Sequence, residues 1–228
     1  MKQICALLSF ILAITLSLAG QVPGSNPAGE ENRQAATETG GSSMPLGFFN
    51  TTVGFLIGTH KSPDNRFGEV YGNKASLQFG LNLSRILLDM KGFQIDLSLE
   101  ARLLRRTGKA TLSGEGTKIT MIPLTVAGRL QYRTKYIVPF IGAGIDWYNY
   151  KEESVLADTS GWATGYDLQA GVLIVVPGAD SLKVKLYFKH TDVTATENEI
   201  DVKLGGPEFG IGLSYGFNFL DKAALIIR

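Results

Sequence analysis

Few side chains in the sequence could do acid–base, nucleophilic or metal chemistry. The histidines are His60 and His190, and the single cysteine is Cys5. Acidic residues cluster at positions 152–153 and 197–201, where they could bind a divalent cation, but solvated charge is the commoner explanation. No glycine-rich phosphate motif precedes a helix. We therefore predict no catalytic site, no cofactor and no metal site.

A larger set of charged residues alternates with apolar ones. The acids are Asp96, Glu100, Asp146, Asp167 and Glu208, and the bases are Arg102, Arg129, Lys183, Lys185 and Lys189. In the stretch FQIDLSLEARL, residues 93–103, every apolar residue has one parity and every charged residue has the other. Successive side chains of a strand point to opposite faces, so these charges share one face of a sheet. There they could neutralise one another or line an ion path.

Eight alternating segments between Phe48 and Phe219 are predicted to be β-strands. They span roughly residues 48–60, 75–88, 93–106, 118–133, 138–150, 164–176, 182–193 and 207–219. Short turns connect the second and third, fourth and fifth, and sixth and seventh segments, whereas about 11 to 14 polar residues connect the others. This pattern is typical of transmembrane barrels with periplasmic short turns. We predict an all-β, eight-stranded antiparallel up-and-down transmembrane β-barrel.

The apolar parity could be the core of a soluble lipocalin-like barrel or the lipid-facing surface of a membrane barrel. Three features favour lipid. The centre of that parity carries no charge, the opposite parity is glycine-rich as suits a crowded interior, and aromatic residues gather at the strand ends as interface belts. These aromatics are Phe49, Phe93, Tyr132, Phe217 and Phe219 at the turn end, and Trp147, Tyr166 and Phe209 at the loop end. The charges are then expected inside.

The N-terminus is typical of a secretory signal peptide. A positive Met1-Lys2-Gln3 precedes an apolar run, and Gln21 stands where a lipoprotein would carry cysteine. A membrane anchor, the alternative, would need about 20 apolar residues and a charged stop. The expected organisation is a signal peptide over residues 1–20, a disordered periplasmic leader over 21–47, an outer-membrane barrel over 48–219 and a short tail over 220–228. The net charge of +1, without a basic block, excludes nucleic acid as a partner.

Residues 122–153, IPLTVAGRLQYRTKYIVPFIGAGIDWYNYKEE, resemble the bacterial outer-membrane β-barrel domain family, the small eight-stranded OmpA/OmpX-type barrels. The family pattern is a strand from Pro-Leu to Tyr-Arg, a short turn, and an aromatic and Gly-Ala-Gly run. Here these are Pro123-Leu124, Tyr132-Arg133 and residues 139–144. The resemblance covers about residues 48–219, although nine residues follow Phe219, where family members usually end.

The resemblance implies a cell-envelope protein in the outer membrane of a Gram-negative-type bacterium. Its partners would be outer-membrane lipid and lipopolysaccharide, and the barrel-assembly machinery during insertion. The extracellular loops could bind an extracellular ligand.

An eight-stranded barrel is just wide enough for its own side chains, and an unpaired buried charge is costly. The balanced acids and bases therefore predict an interior closed by an ion-pair network, with Glu100 taken as the main partner of Arg129. We predict a non-enzymatic protein with a structural or surface-interaction role through its extracellular loops.

Two alternatives to this function remain. One is a narrow, porin-like passage for small solutes or ions, lined by the same charged residues. The other is an outer-membrane lipid-modifying enzyme, because KHTDVTA, residues 189–195, is loosely similar to the His-x-Ser-Asn stretch of lipid A deacylases. Asp192 and Val193 replace that serine and asparagine, so the nucleophile is missing.

Overall fold

A computed structural model describes residues 50–72, 75–90, 92–110, 114–154, 158–197 and 200–218. The expected signal peptide, leader and C-terminal tail lie outside the described residues, as do Phe49 and Phe219. Among the residues that are described, no helix has the length and apolar character needed to cross a membrane.

The described chain forms antiparallel strands with one short helix. The elements are β1 (Thr51–His60), α1 (Asn65–Tyr71), β2 (Ser76–Met90), β3 (Phe93–Lys109), β4 (Gly116–Tyr132), β5 (Ile137–Ser154), β6 (Asp158–Val176), β7 (Ala179–Glu197), β8 (Ile200–Lys203) and β9 (Pro207–Phe217). Strands β1 to β7 pair in sequence order, and β9 pairs with both β7 and β1, so eight strands close into a ring. The small strand β8 pairs with the end of β7. The predicted eight-stranded up-and-down barrel is confirmed.

The alternation of side chains decides what lies inside the ring. In β3 the polar residues from Gln94 to Arg102 are buried, while the apolar residues between them line the outside. Other outward positions carry large apolar side chains, and Leu81 and Ile141 are 61% and 62% exposed. Soluble proteins avoid so continuous an apolar surface, whereas a lipid-facing barrel requires it. The sheet therefore has an apolar outer face, and its charged residues lie inside, together with a small apolar cluster that includes Leu56 and Phe140.

The barrel wall is taller on one side. A tilted strand needs about 9 to 11 residues to cross a bilayer, and β1 and β9 have 10 and 11. Strands β3 to β7 have 17 to 19 residues and continue beyond the membrane at the loop end. Residues 151–163 were expected to form a polar loop, but β5 continues to Ser154 and β6 starts at Asp158. In this region β5 and β6 remain paired, although their residues lack the alternation of apolar and polar side chains from which the membrane-spanning strands were predicted.

On the low side of the wall, the segment after β1 folds onto the edge of β8. Asp64 accepts hydrogen bonds from the backbone N–H groups of Arg66 and Lys203, both at 2.9 Å. Ser62 donates to the carbonyl of Lys203 at 2.7 Å. The first bond caps the N-terminus of α1, and the other two satisfy backbone groups on the edge of β8.

The far end of α1 rests on β3. A Cβ atom added at Gly108 would lie 2.3 Å from the carbonyl oxygen of Val70, so only a glycine allows so close an approach. Residues 61–74 were expected to be a polar loop, and the helix within them is a finding of the structure.

Candidate functional site

The charged residues of the turn-end half of the interior include a bidentate ion pair. Asp96 on β3 lies directly opposite Arg129 on β4. Arg129 Nε and Nη2 donate to the two carboxylate oxygens of Asp96 at 2.8 and 2.7 Å, and Gln131 also donates to this carboxylate. The expectation that Glu100 is the main partner of Arg129 is wrong, because the register places Glu100 opposite Thr125.

In the middle of the barrel, ion pairs cross the lumen. Glu100 on β3 accepts hydrogen bonds from Arg102 and, at 2.8 Å, from Lys185 Nζ on β7. Strands β3 and β7 stand on opposite sides of the eight-membered ring. Arg102 also donates to Glu208 on β9, which accepts from Gln78 at 2.9 Å. The result is a chain of alternating charge, Lys185–Glu100–Arg102–Glu208, that spans the interior.

A third group of charges surrounds Lys189. Its Nζ donates to Asp146 at 2.8 Å and to Thr125 at 2.7 Å, and lies 3.8 Å from a carboxylate oxygen of Asp167. Thr125 in turn donates to Asp146. Lys183 lies on the same inward face of β7, nearer the turn end. The ten charged residues predicted to face inward are at most 5% exposed. We call them the charged layer.

Two inward glycines make room for the arginines. Gly80 lies opposite Arg102, and Gly142 lies opposite Arg129. A Cβ atom at either glycine would lie 2.7 Å from the Cγ atom of the facing arginine. Such a distance is shorter than any normal carbon–carbon contact. The arginine side chains therefore fit because the facing residue on the adjacent strand has no side chain.

On the loop side of the charges, the interior is filled by apolar side chains. We call this set the outer apolar layer: Phe67, Tyr71, Leu104, Ile119, Met121, Tyr148, Ala163, Val193, Ala195 and Leu204. The alternation inverts where this layer begins. Along β3, Arg102 faces inward and Leu103 outward, but then Leu104 faces inward and Arg105 outward. The inversion marks the level at which the outside of the wall passes from lipid into water.

Helix α1 covers the outer apolar layer. It contributes Phe67 and Tyr71, whose rings lie 4.8 Å apart between centroids. The Tyr71 hydroxyl donates to Glu152 at 2.6 Å, and Thr117 donates to the same oxygen at 3.1 Å. Burial and the Glu152 carboxylate raise the pKa of Tyr71 well above its usual value, so its hydroxyl stays a neutral donor. A half-open cavity of about 170 Å³, bordered by Phe67 and Tyr150, remains beneath the helix.

Comparison with solved structures identifies the same architecture. Neisserial surface protein A matches with a TM-score of 0.53 and 10% identity, over 74% of this chain and 97% of that chain. The outer-membrane protein OprG from Pseudomonas aeruginosa matches with a TM-score of 0.52 and 12% identity, over 74% of this chain and 97% of its own. No protein-family model matches the sequence, and no curated protein is significantly similar.

The chain has the fold of the small eight-stranded outer-membrane barrels. The outer-membrane location predicted from the sequence is confirmed. An apolar exterior around a polar interior is the arrangement typical of a membrane-spanning barrel.

The described residues of the predicted aromatic belts lie toward the two ends of the apolar exterior, whereas Phe55 faces outward at the middle of β1 and Phe140 and Tyr187 face the interior. At the turn end, the rings of Phe93 and Tyr132 are 5.1 Å apart between centroids. At the loop end, the Phe188 and Phe209 rings are 4.7 Å apart, and Tyr166 donates to Asp192 at 3.0 Å.

Trp147 and Phe217 also occupy outward positions, one toward each end of the apolar exterior. One cation, Arg85, shares the outward face near the turn end, opposite Thr51 and Leu97. Long side chains such as that of arginine reach the interface from this depth.

The two histidines of the barrel lie on opposite faces of the wall. His60 is buried, with Nδ1 3.4 Å from Glu208 and Nε2 3.0 Å from the carbonyl oxygen of Leu204. His190 faces outward, with Leu168 and Pro207 as cross-strand neighbours. Across the described part of the chain, no group of three or more His, Cys, Asp or Glu residues could hold a metal ion.

Proposed function

We propose that the protein is a sealed, non-enzymatic outer-membrane barrel with a structural and surface-interaction role at its extracellular end. The observation that carries the proposal is the contact of Glu100 with Lys185 across the lumen, at 2.8 Å between strands on opposite sides of the ring. A conducting path would have to separate this pair. Separating buried opposite charges costs several kcal/mol, because water cannot compensate them fully in so narrow a space.

The outer apolar layer is a second seal in series with the first. Its side chains are buried, and Leu104 and Met121 are at most 1% exposed. Ions cross a constriction lined by apolar side chains poorly, since such side chains cannot replace the hydration shell of the ion. Helix α1 lies above it, bonded at one end to β8 and at the other to Glu152.

The environments of the histidines favour a non-enzymatic role. The two nitrogens of His60 already face Glu208 and the Leu204 carbonyl, deep in the interior. His190 faces outward, its direct cross-strand neighbours are Leu168 and Pro207, and the nearby Tyr166 hydroxyl donates to Asp192. A general base needs a nucleophile within hydrogen-bond reach.

The extracellular end offers a surface for partners. Strands β3 to β7 extend above the membrane, and α1 is fixed between β8 and β5 by side-chain bonds. A surface that is already ordered loses little conformational entropy when a partner docks on it.

Planar-bilayer recordings test the sealed interior. The purified wild-type barrel is reconstituted at known orientation, with protease protection as proof of insertion and a large-pore porin as the positive control. We expect no steady single-channel steps from the wild-type protein. Reproducible steps of constant size would overturn the proposal and promote the passage function.

A further inference from the structure

The outward apolar runs of three neighbouring strands have the same length. On β3, β4 and β5 they cover residues 93–103, 122–132 and 137–147, each 11 residues. This is the length that a tilted strand needs to cross the hydrocarbon core, about 9 to 11 residues. The inversion at Leu103 and Leu104 places the outer edge of the membrane at the same level.

Cations stand immediately beyond this edge on the outward face. Thr120 of β4 pairs directly with Arg105 of β3 on one side and with Lys151 of β5 on the other. Lys118 lies two residues before Thr120 on the same face of β4, nearer the loop end. Adjacent strands are about 4.8 Å apart, so the three long side chains can converge on one point above Thr120. The side chains of Lys118 and Lys151 are 45% and 52% exposed.

The same level on the neighbouring strand carries different charges. β6 presents Ser160 opposite Lys151 and Asp158 opposite Glu153, both on its outward face. The three outward cations Arg105, Lys118 and Lys151 are therefore grouped on β3 to β5, close to the outward-facing Trp147. A compact group of donors at headgroup height fits an anionic lipid headgroup better than a diffuse counter-ion layer.

We propose that Arg105, Lys118, Thr120 and Lys151 form a binding site for the phosphate of an outer-leaflet glycolipid of the lipid A type. The guanidinium and two ammonium groups supply charge-assisted donors, and the Thr120 hydroxyl supplies a neutral one. The apolar runs below receive the acyl chains of the same molecule. The site is on the outside of the wall and is independent of whether the interior conducts.

Glu153 adjoins the proposed site and competes with the phosphate. It accepts from Lys151 at 2.8 Å and lies 3.6 Å from Lys118. Exposed pairs of this kind contribute little to stability, so a phosphate can displace the carboxylate. Removing this negative charge by Glu153→Gln should therefore increase the affinity of the site for phosphate.

Native mass spectrometry of the full-length mature barrel in detergent tests the site. The probes are diphosphoryl lipid A and the same lipid without its phosphates. We expect the wild-type barrel to bind the diphosphoryl form at least about 10-fold more tightly, and the combined change Arg105→Gln, Lys118→Gln and Lys151→Gln to abolish this preference. Glu153→Gln should increase it.

The matched control removes three positive charges from the turn end by Arg85→Gln, Arg133→Gln and Lys135→Gln. It should keep the preference, and heat-modifiable migration on gels verifies that each variant is folded. An equal loss in the control variant, or no preference in the wild type, would refute the proposal. Displacement of the lipid by an equal concentration of inorganic phosphate would show a free-anion site instead and would also refute it.

Discussion

The charged layer and the outer apolar layer fill one lumen by opposite chemistry. Within the membrane, the outside of the wall contacts lipid, so the polar side chains of each strand are directed inward and must pair there. Above the membrane, both sides of the wall could meet water, and the inner face forms an ordinary hydrophobic core under α1. On β3, the residues from Phe93 to Leu103 therefore have their apolar face outside, toward lipid. Beyond Leu103, the apolar side chains face the interior, as in the core of a soluble protein.

The inversion has a local sequence signature. Two adjacent apolar residues interrupt the alternation at Leu103-Leu104 on β3, Met121-Ile122 on β4 and Trp147-Tyr148 on β5. In each pair, one residue faces lipid and the other belongs to the outer apolar layer. Such pairs on neighbouring strands mark the membrane boundary.

Breaking the charged layer should have the largest effect. Arg129→Ala removes the bidentate partner of the buried Asp96, and leaves it with the Gln131 amide and the nearby Lys183 cation. We expect a loss of about 3 to 5 kcal/mol in the free energy of unfolding, measured by urea titration in lipid vesicles. The double variant Arg129→Ala with Asp96→Ala should lose less than the single variant. A double variant as unstable as the sum of its parts would mean that the pair is not coupled.

Breaking the outer apolar layer should have a smaller and more local effect. Phe67→Ala removes an aromatic ring from the underside of α1. Such a truncation costs about 3 to 5 kcal/mol at a filled core site, and less here because the ring already borders a cavity. Because α1 lies above the membrane-spanning ring, we expect faster proteolysis and hydrogen exchange within residues 61–72 and little change in global unfolding. Glu69→Ala, at an exposed position of the same helix, is the control. A fall in global stability equal to that of Arg129→Ala would erase the distinction between the layers.

These two regions also differ in how far the sequence predicts them. The strands, their inward charges and the closed ring follow from a period of two over long stretches. The partner of Arg129 depends on the register between β3 and β4. Alternation does not determine this register, because a shift of two residues keeps every side chain on the same face. Phe93 follows the short turn before β3, and Tyr132 precedes the short turn after β4. Aligning these two residues, which are register partners, would have predicted the pairing of Asp96 with Arg129.

Helix α1 could not be predicted by the same means. Residues 65–71 are too few to display a helical period, and the helix is held by contacts that are distant in sequence, such as Asp64 with Lys203. A weak signal exists in the aromatic pair Phe67 and Tyr71, which lies on one face at a spacing of four. Phe67 and Tyr71 pack against apolar residues of strands β3 to β7. Those residues lie on the inward face of the strands, which carries charges within the membrane.

A milder way to release α1 acts on Asp64. Asp64→Ala removes the helix cap and the bond to Lys203, which should cost about 0.5 to 2 kcal/mol of local stability. Burial raises the pKa of Asp64, but the backbone bonds from Lys203 and Arg66 outweigh it, and the net pKa is lowered. The contribution of this carboxylate is thus present above its usual pKa of about 3.9 and is lost as the pH falls through the lowered value.

Hydrogen exchange of α1 measured from pH 6 to pH 3, and corrected for the intrinsic rate, should show this loss in the wild type. Asp64→Asn keeps a capping oxygen and should remove the pH dependence. Unchanged acid sensitivity in Asp64→Asn would assign it to another group.

The smallest expected effect sharpens the comparison at the contact between the layers. Tyr148 belongs to the outer apolar layer, but its hydroxyl lies 3.2 Å from Thr191 Oγ1 and donates to Glu208 at 3.5 Å. Tyr148→Phe removes these polar contacts and keeps the ring, so we expect a loss of about 0.5 to 1.5 kcal/mol in urea unfolding. Tyr215→Phe, on the lipid-facing surface, is the control. If the layers are energetically separate, Tyr148→Phe and Phe67→Ala should be additive within about 0.5 kcal/mol, whereas a larger coupling energy would show that the helix and the ion-pair network stabilise each other through Tyr148.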